Sequence, residues 1–312
     1  MAFVGKFIYL VLFPGLLFVL LGGFVARAVL SGMSAAFTGV APAGPATGLP
    51  ALMRLFSREC VATGGPLHGL LWSAPPVQLL ALSWVSCIVF GFLPGDLALL
   101  FALLLLASGA DILLAFCSAN PRVRQNGFSQ AARVLGWAVP LALVFALVGL
   151  RTGEISLTGL VQWQVANGML IASAAGGTLA QVGTALGLAA ALVGALSLAR
   201  LRPLGPGLFD DPPSGVLCDV SGPPLAMTRM SETAYLFVAP LLVAALFFAG
   251  PASTWYEVAN WSLKVAALVI LLGVTDLVSP RLRSGRALAW ALGSGGALSV
   301  AALVLVWVGV SK

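Results

Sequence analysis

Leu97 to Phe116 reads LALLFALLLLASGADILLAF, an unbroken apolar run interrupted by one charge, Asp111. At 1.5 Å per residue this stretch makes a helix of about 30 Å, the thickness of a bilayer's hydrocarbon core. Water would not tolerate it, and lipid would. In lipid every backbone polar group must be satisfied within its own segment or a closed barrel, so runs of this length are helices.

Similar runs recur on both sides of it. Apolar length and Gly, Pro and Arg punctuation predict about eight membrane-spanning helices: Phe7 to Ala28, Val77 to Leu93, Leu97 to Phe116, Val134 to Leu150, Thr178 to Ala199, Ala234 to Ala249, Val258 to Leu277 and Ala287 to Val310. The whole chain agrees: 60% of its 312 residues are hydrophobic, 8% are charged, and the mean hydropathy is +1.05. The expected fold is an all-α integral membrane protein, one polytopic domain over 1–312. Pro94-Gly95-Asp96 is a turn sequence, too short for anything but a tight hairpin. Ile155 to Leu170 has room for a short extra helix. Phe7 to Leu21 superficially resembles a signal peptide, with Ala26-Arg27-Ala28 as a loose cleavage site. Its apolar length exceeds that of a signal core and matches the later spans, so the first span is expected to remain.

The excess of 16 Lys+Arg over 10 Asp+Glu is scattered between spans and does not form a patch, which argues against nucleic acid and for topology. Alternate loops carry Arg27, Arg54, Arg58, Arg122, Arg124, Arg133, Arg200, Arg202, Arg229, Arg281, Arg283 and Arg286; the other side has little beyond Lys6, Arg151 and Lys312. The positive-inside rule makes the arginine-bearing loops cytoplasmic and both termini external, the expected setting being a bacterial plasma membrane. Trp72, Trp137, Trp255, Trp261 and Trp307 near span ends suit interfacial anchoring. Three cytoplasmic connections are long enough for partners to dock: Leu30 to Pro76, Cys117 to Arg133, and Arg200 to Arg229. In the first, Leu49, Leu52, Met53, Leu55 and Phe56 interleave with Arg54, Ser57, Arg58 and Glu59, which predicts a short amphipathic helix, interfacial or packed as an ordinary loop helix. Cys60, Cys87, Cys117 and Cys218 are far apart and the single histidine, His68, lies in a Gly/Pro-rich stretch, so spacing supports no metal site within this chain.

Four short stretches and one longer one occur in a telling order. Met53-Arg54-Leu55-Phe56-Ser57-Arg58-Glu59, Gly95-Asp96-Leu97, Gly127-Phe128-Ser129 and Asp219-Val220-Ser221-Gly222 are followed by Leu263-Lys264-Val265, Asp276 and Pro280-Arg281-Leu282-Arg283. This series resembles the membrane subunit shared by respiratory complex I (the NADH:quinone oxidoreductase subunit 1 family) and group 4 membrane-bound hydrogenases, with the hydrogenase and formate hydrogenlyase branch the nearer. Val220 departs from the family's aromatic residue. The resemblance implies a subunit with no redox centre and no catalysis of its own. It implies partners that carry iron–sulfur clusters and a nickel–iron centre: an iron–sulfur subunit and a hydrogenase-like large subunit on the cytoplasmic side, and antiporter-like subunits beside it in the bilayer.

The family usually carries several carboxylates in its cytoplasmic loops and adjoining helices. Here no Asp or Glu occurs between Asp111 and Glu154, or between Glu154 and Asp210. After Gly127-Phe128-Ser129, where the family tends to place an acid, stands Gln130, and before Pro140 stands Val139. Arginine cannot release a proton in a protein, and Gln125 and Ser129 can orient water without holding charge. Either the proton path here uses other residues, or the subunit has kept docking and its own path is degenerate; the second is the favoured expectation.

The candidate ion-path or coupling residues are therefore Asp111, Lys264, Asp276, Glu59 and Asp219, and the candidate arm-docking residues Arg54, Arg58, Arg122, Arg124, Arg281 and Arg283. A charge deep in a span must pair or meet water. Asp111 and Lys264 are accordingly either functional or a structural pair bridging two helices, and Asp276 invites a local salt bridge to Arg281. Two rival functions stay open: an independent secondary transporter, and a scaffold in a complex that pumps no ions.

Overall fold

The computed structural model describes residues 15–39, 45–59, 68–116, 121–173, 177–204, 221–248, 255–280, 282 and 284–311. Its helices are α1 (Leu16–Thr38), α2 (Pro45–Phe56), α3 (His68–Val89), α4 (Leu97–Phe116), α5 (Pro121–Thr152), α6 (Leu157–Asn167), α7 (Gly177–Leu198), α8 (Pro223–Phe247), α9 (Trp255–Val278), α10 (Ser284–Trp290) and α11 (Ala297–Val310). A π-helical turn, Ala291–Gly296, joins the last two into one rod. That rod and seven of the other helices are long and apolar enough to cross a membrane, eight spans among the described residues. Phe7 to Pro14, the start of the first expected span, lies outside them.

Burial orders the bundle. In α8, 83% of the apolar window is buried, against 33% in α1. The helix is central, packing against α1, α2, α3, α7 and α9. Outer helices divide by face: α4 buries Leu100, Leu104, Ala107 and Asp111 and exposes Leu99, Leu106 and Leu113. An apolar outer face is what lipid requires, where a soluble helix would turn charge outward.

Close helix approach depends on missing side chains. A Cβ at Gly183 of α7 would come within 2.8 Å of the Ala302 carbonyl oxygen on α11, and one at Gly187 within 3.0 Å of Leu147 on α5. Small residues four apart let helix backbones approach where lipid offers no hydrophobic drive. The Gly95-Asp96 hairpin is held similarly tightly. Leu97 N–H donates to Ile155 O at 3.0 Å and Leu157 N–H to Gly95 O at 3.1 Å, tying the hairpin to the start of α6. Ser156 caps α6 by accepting from Gly159 N–H at 3.1 Å.

Two expected loops are shorter than the sequence suggests. The connection from Cys117 to Arg133 is helical from Pro121, and that from Arg200 to Arg229 becomes helical at Pro223. Span α3 likewise begins at His68, well before Val77. Apolarity marks the part of a helix inside lipid; polar residues such as Arg124, Gln130 and Arg229 continue the same helix beyond it. The amphipathic helix and the short helix after Ile155 are present as α2 and α6.

Candidate functional site: a buried ionic cluster

At the arginine-bearing end of the bundle, charges from three helices meet. Asp111, on the fourth turn of α4, is 8% exposed. Its Oδ2 accepts from Arg200 Nη2 and from Gln78 Nε2 of α3, the latter at 2.8 Å. Arg200 Nη1 donates to Glu232 Oε1 of α8 at 3.1 Å, and Arg229 Nη1 donates to Glu232 Oε2 at 3.0 Å. The Arg200 guanidinium stacks 5.3 Å from the ring centroid of Tyr235, one turn along from Glu232. The Tyr235 hydroxyl in turn lies 3.3 Å from Gln78 Nε2 and 3.4 Å from Ser108 Oγ.

Arg200 holds this place through an unusual backbone. Helix α7 ends in a Schellman turn, with Leu201 N–H bonded to Leu196 O at 3.0 Å and Arg200 N–H to Ser197 O at 3.2 Å. The residue at that turn adopts the left-handed conformation, and glycine is the usual occupant. Here it is an arginine with φ +61°, the one non-glycine residue with positive φ among those described. The strain is of order 1 kcal/mol or more and is retained because the side chain it aims closes the cluster. Burial alone would loosen the proton on Arg200, but the carboxylates of Asp111 and Glu232 outweigh it and hold the guanidinium charged more firmly than in water.

Beside the ion pairs lies a cavity of about 20 Å³, lined by Asp111, Gln130, Arg133, Trp137, Ser197 and Arg200 among others. That is room for about one water molecule, with polar partners on several sides. Gln130, the residue standing where an acid was expected, faces this cavity. An amide there can orient water and cannot take up its proton.

A second polar link closes the same end. Asp276, 4% exposed on α9, accepts from the Arg202 backbone N–H at 2.7 Å, and Leu282 N–H donates to Pro203 O at 3.3 Å. The segments that leave α7 and α9 are thus joined. The expected local bridge from Asp276 falls on Arg281, which lies outside the described residues.

Of the candidate residues, Asp111 lies at the cluster and Asp276 beside it. The Asp111–Lys264 pairing does not form: Asp111 is taken by Arg200, and Lys264 is half-buried on α9 with no ion pair among the described residues. Glu59, Arg54 and Arg58 are exposed at the end of α2, where the Glu59 carbonyl faces Ser221 Oγ at 3.5 Å. Arg124 is exposed on the first turn of α5. Asp219 and Arg283 lie outside the described residues, and of Arg122 only the backbone is described. Residues not nominated from sequence are Arg200, Glu232, Gln78 and Tyr235. Their signal was polarity within or at the end of an apolar span, which in Arg200 was absorbed by the topology argument.

The molecule is therefore a polytopic α-helical membrane protein with a buried, arginine-neutralised carboxylate cluster under one end. It belongs to the NADH dehydrogenase family, the membrane subunit 1 family of that enzyme, whose family model matches residues 6–307. Among solved structures it is similar to a chain of the membrane-bound sulfane sulfur reductase, an archaeal respiratory membrane complex. The similarity has a TM-score of 0.81 at 17% identity, over 97% of this chain and 99% of that one. Among curated proteins none matches by sequence.

Proposed function

We propose that this chain is the non-catalytic membrane subunit of a complex I-like or group 4 hydrogenase-like respiratory oxidoreductase. Its arginine-bearing, cytoplasmic end docks the peripheral electron-transfer arm, an iron–sulfur subunit and a hydrogenase-like large subunit, and its flank meets antiporter-like subunits in a bacterial plasma membrane. Both termini are external. Iron–sulfur clusters and a nickel–iron centre belong to the partners.

One observation carries the reading. Asp111 and Glu232 sit under the end where Arg54, Arg58 and Arg124 are exposed, and each is already neutralised by a guanidinium. A carboxylate locked to arginine holds position and transmits a change in its partner, but it is a poor way-station for a mobile proton. This favours docking and electrostatic coupling, with the subunit's own proton path degenerate. Family membership over nearly the full chain favours a complex subunit over an independent transporter.

The test is mild-detergent purification of the tagged chain from its native membrane, with identification of co-purifying proteins and assay for iron and nickel. Recovery with iron–sulfur and hydrogenase-like subunits supports the proposal. Recovery of the chain alone, where other membrane complexes survive, overturns it. Ion movement by the reconstituted complex that survives Asp111→Asn would match a degenerate path; assembled variants that abolish it would restore conduction to this subunit.

A further inference from the structure

Two polar groups from different helices face the small cavity beside the ionic cluster, and both keep unspent hydrogen-bonding capacity. Asp111 accepts both of its bonds, from Arg200 and from Gln78, on Oδ2, which leaves Oδ1 as the carboxylate oxygen open to the cavity. Gln130 of α5, half-buried, lines the same cavity, and its amide makes no hydrogen bond with any described residue. A buried polar group without a partner is unfavourable, and a carboxylate oxygen more so.

The cavity measures about 20 Å³, and about 10–15 Å³ is enough to hold one water. Arg133 and Ser197 line it as well, so a water there has several polar partners, as a buried water requires. Val134, Trp137 and Leu198 supply the apolar part of the wall, which confines those bonds to the polar side. Charge narrows the choice of ligand further. The Asp111 carboxylate opposes an anion, and the guanidinium groups of Arg133 and Arg200 oppose a cation, so a neutral ligand that both donates and accepts is the one that fits.

We infer that this cavity is a binding site for a single resident water, which donates one hydrogen bond to Asp111 Oδ1 and meets the Gln130 amide with another. Gln130 is thereby a positioning residue that acts on Asp111 through the water. The last torsion of an aspartate is broad, and donors on one oxygen alone leave the carboxylate free to swing. A donor on the second oxygen fixes the plane that Arg200 and Gln78 meet. Helix α5 is so tied to the cluster by a group that orients water and takes up no proton. The inference stands on this geometry alone and holds whichever subunits the chain meets.

The test is a cryo-electron microscopy map of the purified protein, with any subunits that accompany it, at a resolution that shows ordered waters elsewhere in the bundle. One peak is expected at about 2.7–3.2 Å from both Asp111 Oδ1 and the Gln130 amide. Gln130→Leu, which keeps most of the bulk and removes the amide, should abolish the peak and lower the melting temperature by a few degrees. In an Asp111→Asn background the same change should lower it clearly less, because the carboxylate that the water serves is gone and residues sharing a partner couple. A direct contact between Gln130 and Asp111 overturns the inference, as does a site without a peak where other buried waters are seen. So does a peak that persists in Gln130→Leu, or an equal melting loss in both backgrounds. If Asp111→Asn does not fold, the maps of the native protein and of Gln130→Leu decide it.

Discussion

Arg200 reaches across 89 positions of sequence to close an ion pair with Asp111, and it does so from a left-handed backbone conformation that glycine would adopt without strain. Two opposing terms meet at this residue. The backbone term favours glycine by roughly 1 kcal/mol, and the loss of the guanidinium from the buried Asp111 carboxylate costs about 3–5 kcal/mol. The second is larger, which accounts for arginine.

The same arithmetic orders two variants. Arg200→Ala loses the ion pairs and keeps the strain; Arg200→Gly loses the ion pairs and relieves it. Both should lower the thermal stability of the purified protein by several kcal/mol, with glycine the milder by roughly 1 kcal/mol. Adding Asp111→Asn to Arg200→Gly should recover much of the loss, since Asp111 is the carboxylate left without its guanidinium, while Glu232 keeps Arg229. Equal effects for alanine and glycine would remove the strain argument.

The pH dependence of this contribution has a definite sign. A basic group held more tightly in the folded protein stabilises it fully below its unfolded pKa, and that stability is lost only as pH rises through the folded value. For Arg200 the folded value is raised, by Asp111 and Glu232 against the opposing effect of burial. The gap in melting temperature between the native protein and Arg200→Ala should therefore stay flat from about pH 7 to about pH 10. A gap that closes on the alkaline side would show that Arg200 is not the charged partner.

Asp276 tests the second polar link. Its carboxylate satisfies a backbone N–H at the turn after α7, so Asp276→Ala leaves that donor buried and should cost about 1–3 kcal/mol. Asp276→Asn keeps an acceptor oxygen and should cost clearly less. If the two variants melt together, the contact with Arg202 contributes little and the residue acts through its charge.

The spans were legible because lipid leaves one physical solution for a long apolar run, and α4 was read to its observed ends. The arginine-side ends of α3, α5 and α8 were not, since hydropathy records where lipid stops and those helices continue into polar residues. Asp111 was legible from the cost of burying a lone acid. Its partner was not: choosing Arg200 over Lys264 requires knowing which helix ends converge, and that follows from packing around α8. Glu232 was not nominated for the same reason, because the start of α8 lies eleven residues before the apolar signal begins at Ala234.

Packing between α7 and α11 gives the last test, one that does not involve the cluster. Gly183 faces the Ala302 carbonyl and the Val306 backbone so closely that a methyl group would sit 2.8 Å from that carbonyl oxygen and from a Val306 methyl. Backbone cannot rotate away as a side chain can, so the helices must separate. Gly183→Ala should destabilise the protein by about 1–3 kcal/mol, the usual cost of overpacking a fitted interface. At Gly187 the nearest atoms are instead the methyls of Leu147, at 3.0 and 3.4 Å, which have rotamers to move into. Gly187→Ala should therefore be the milder change in the same melting assay. A reversed order would mean that α11 does not approach α7 along its glycines.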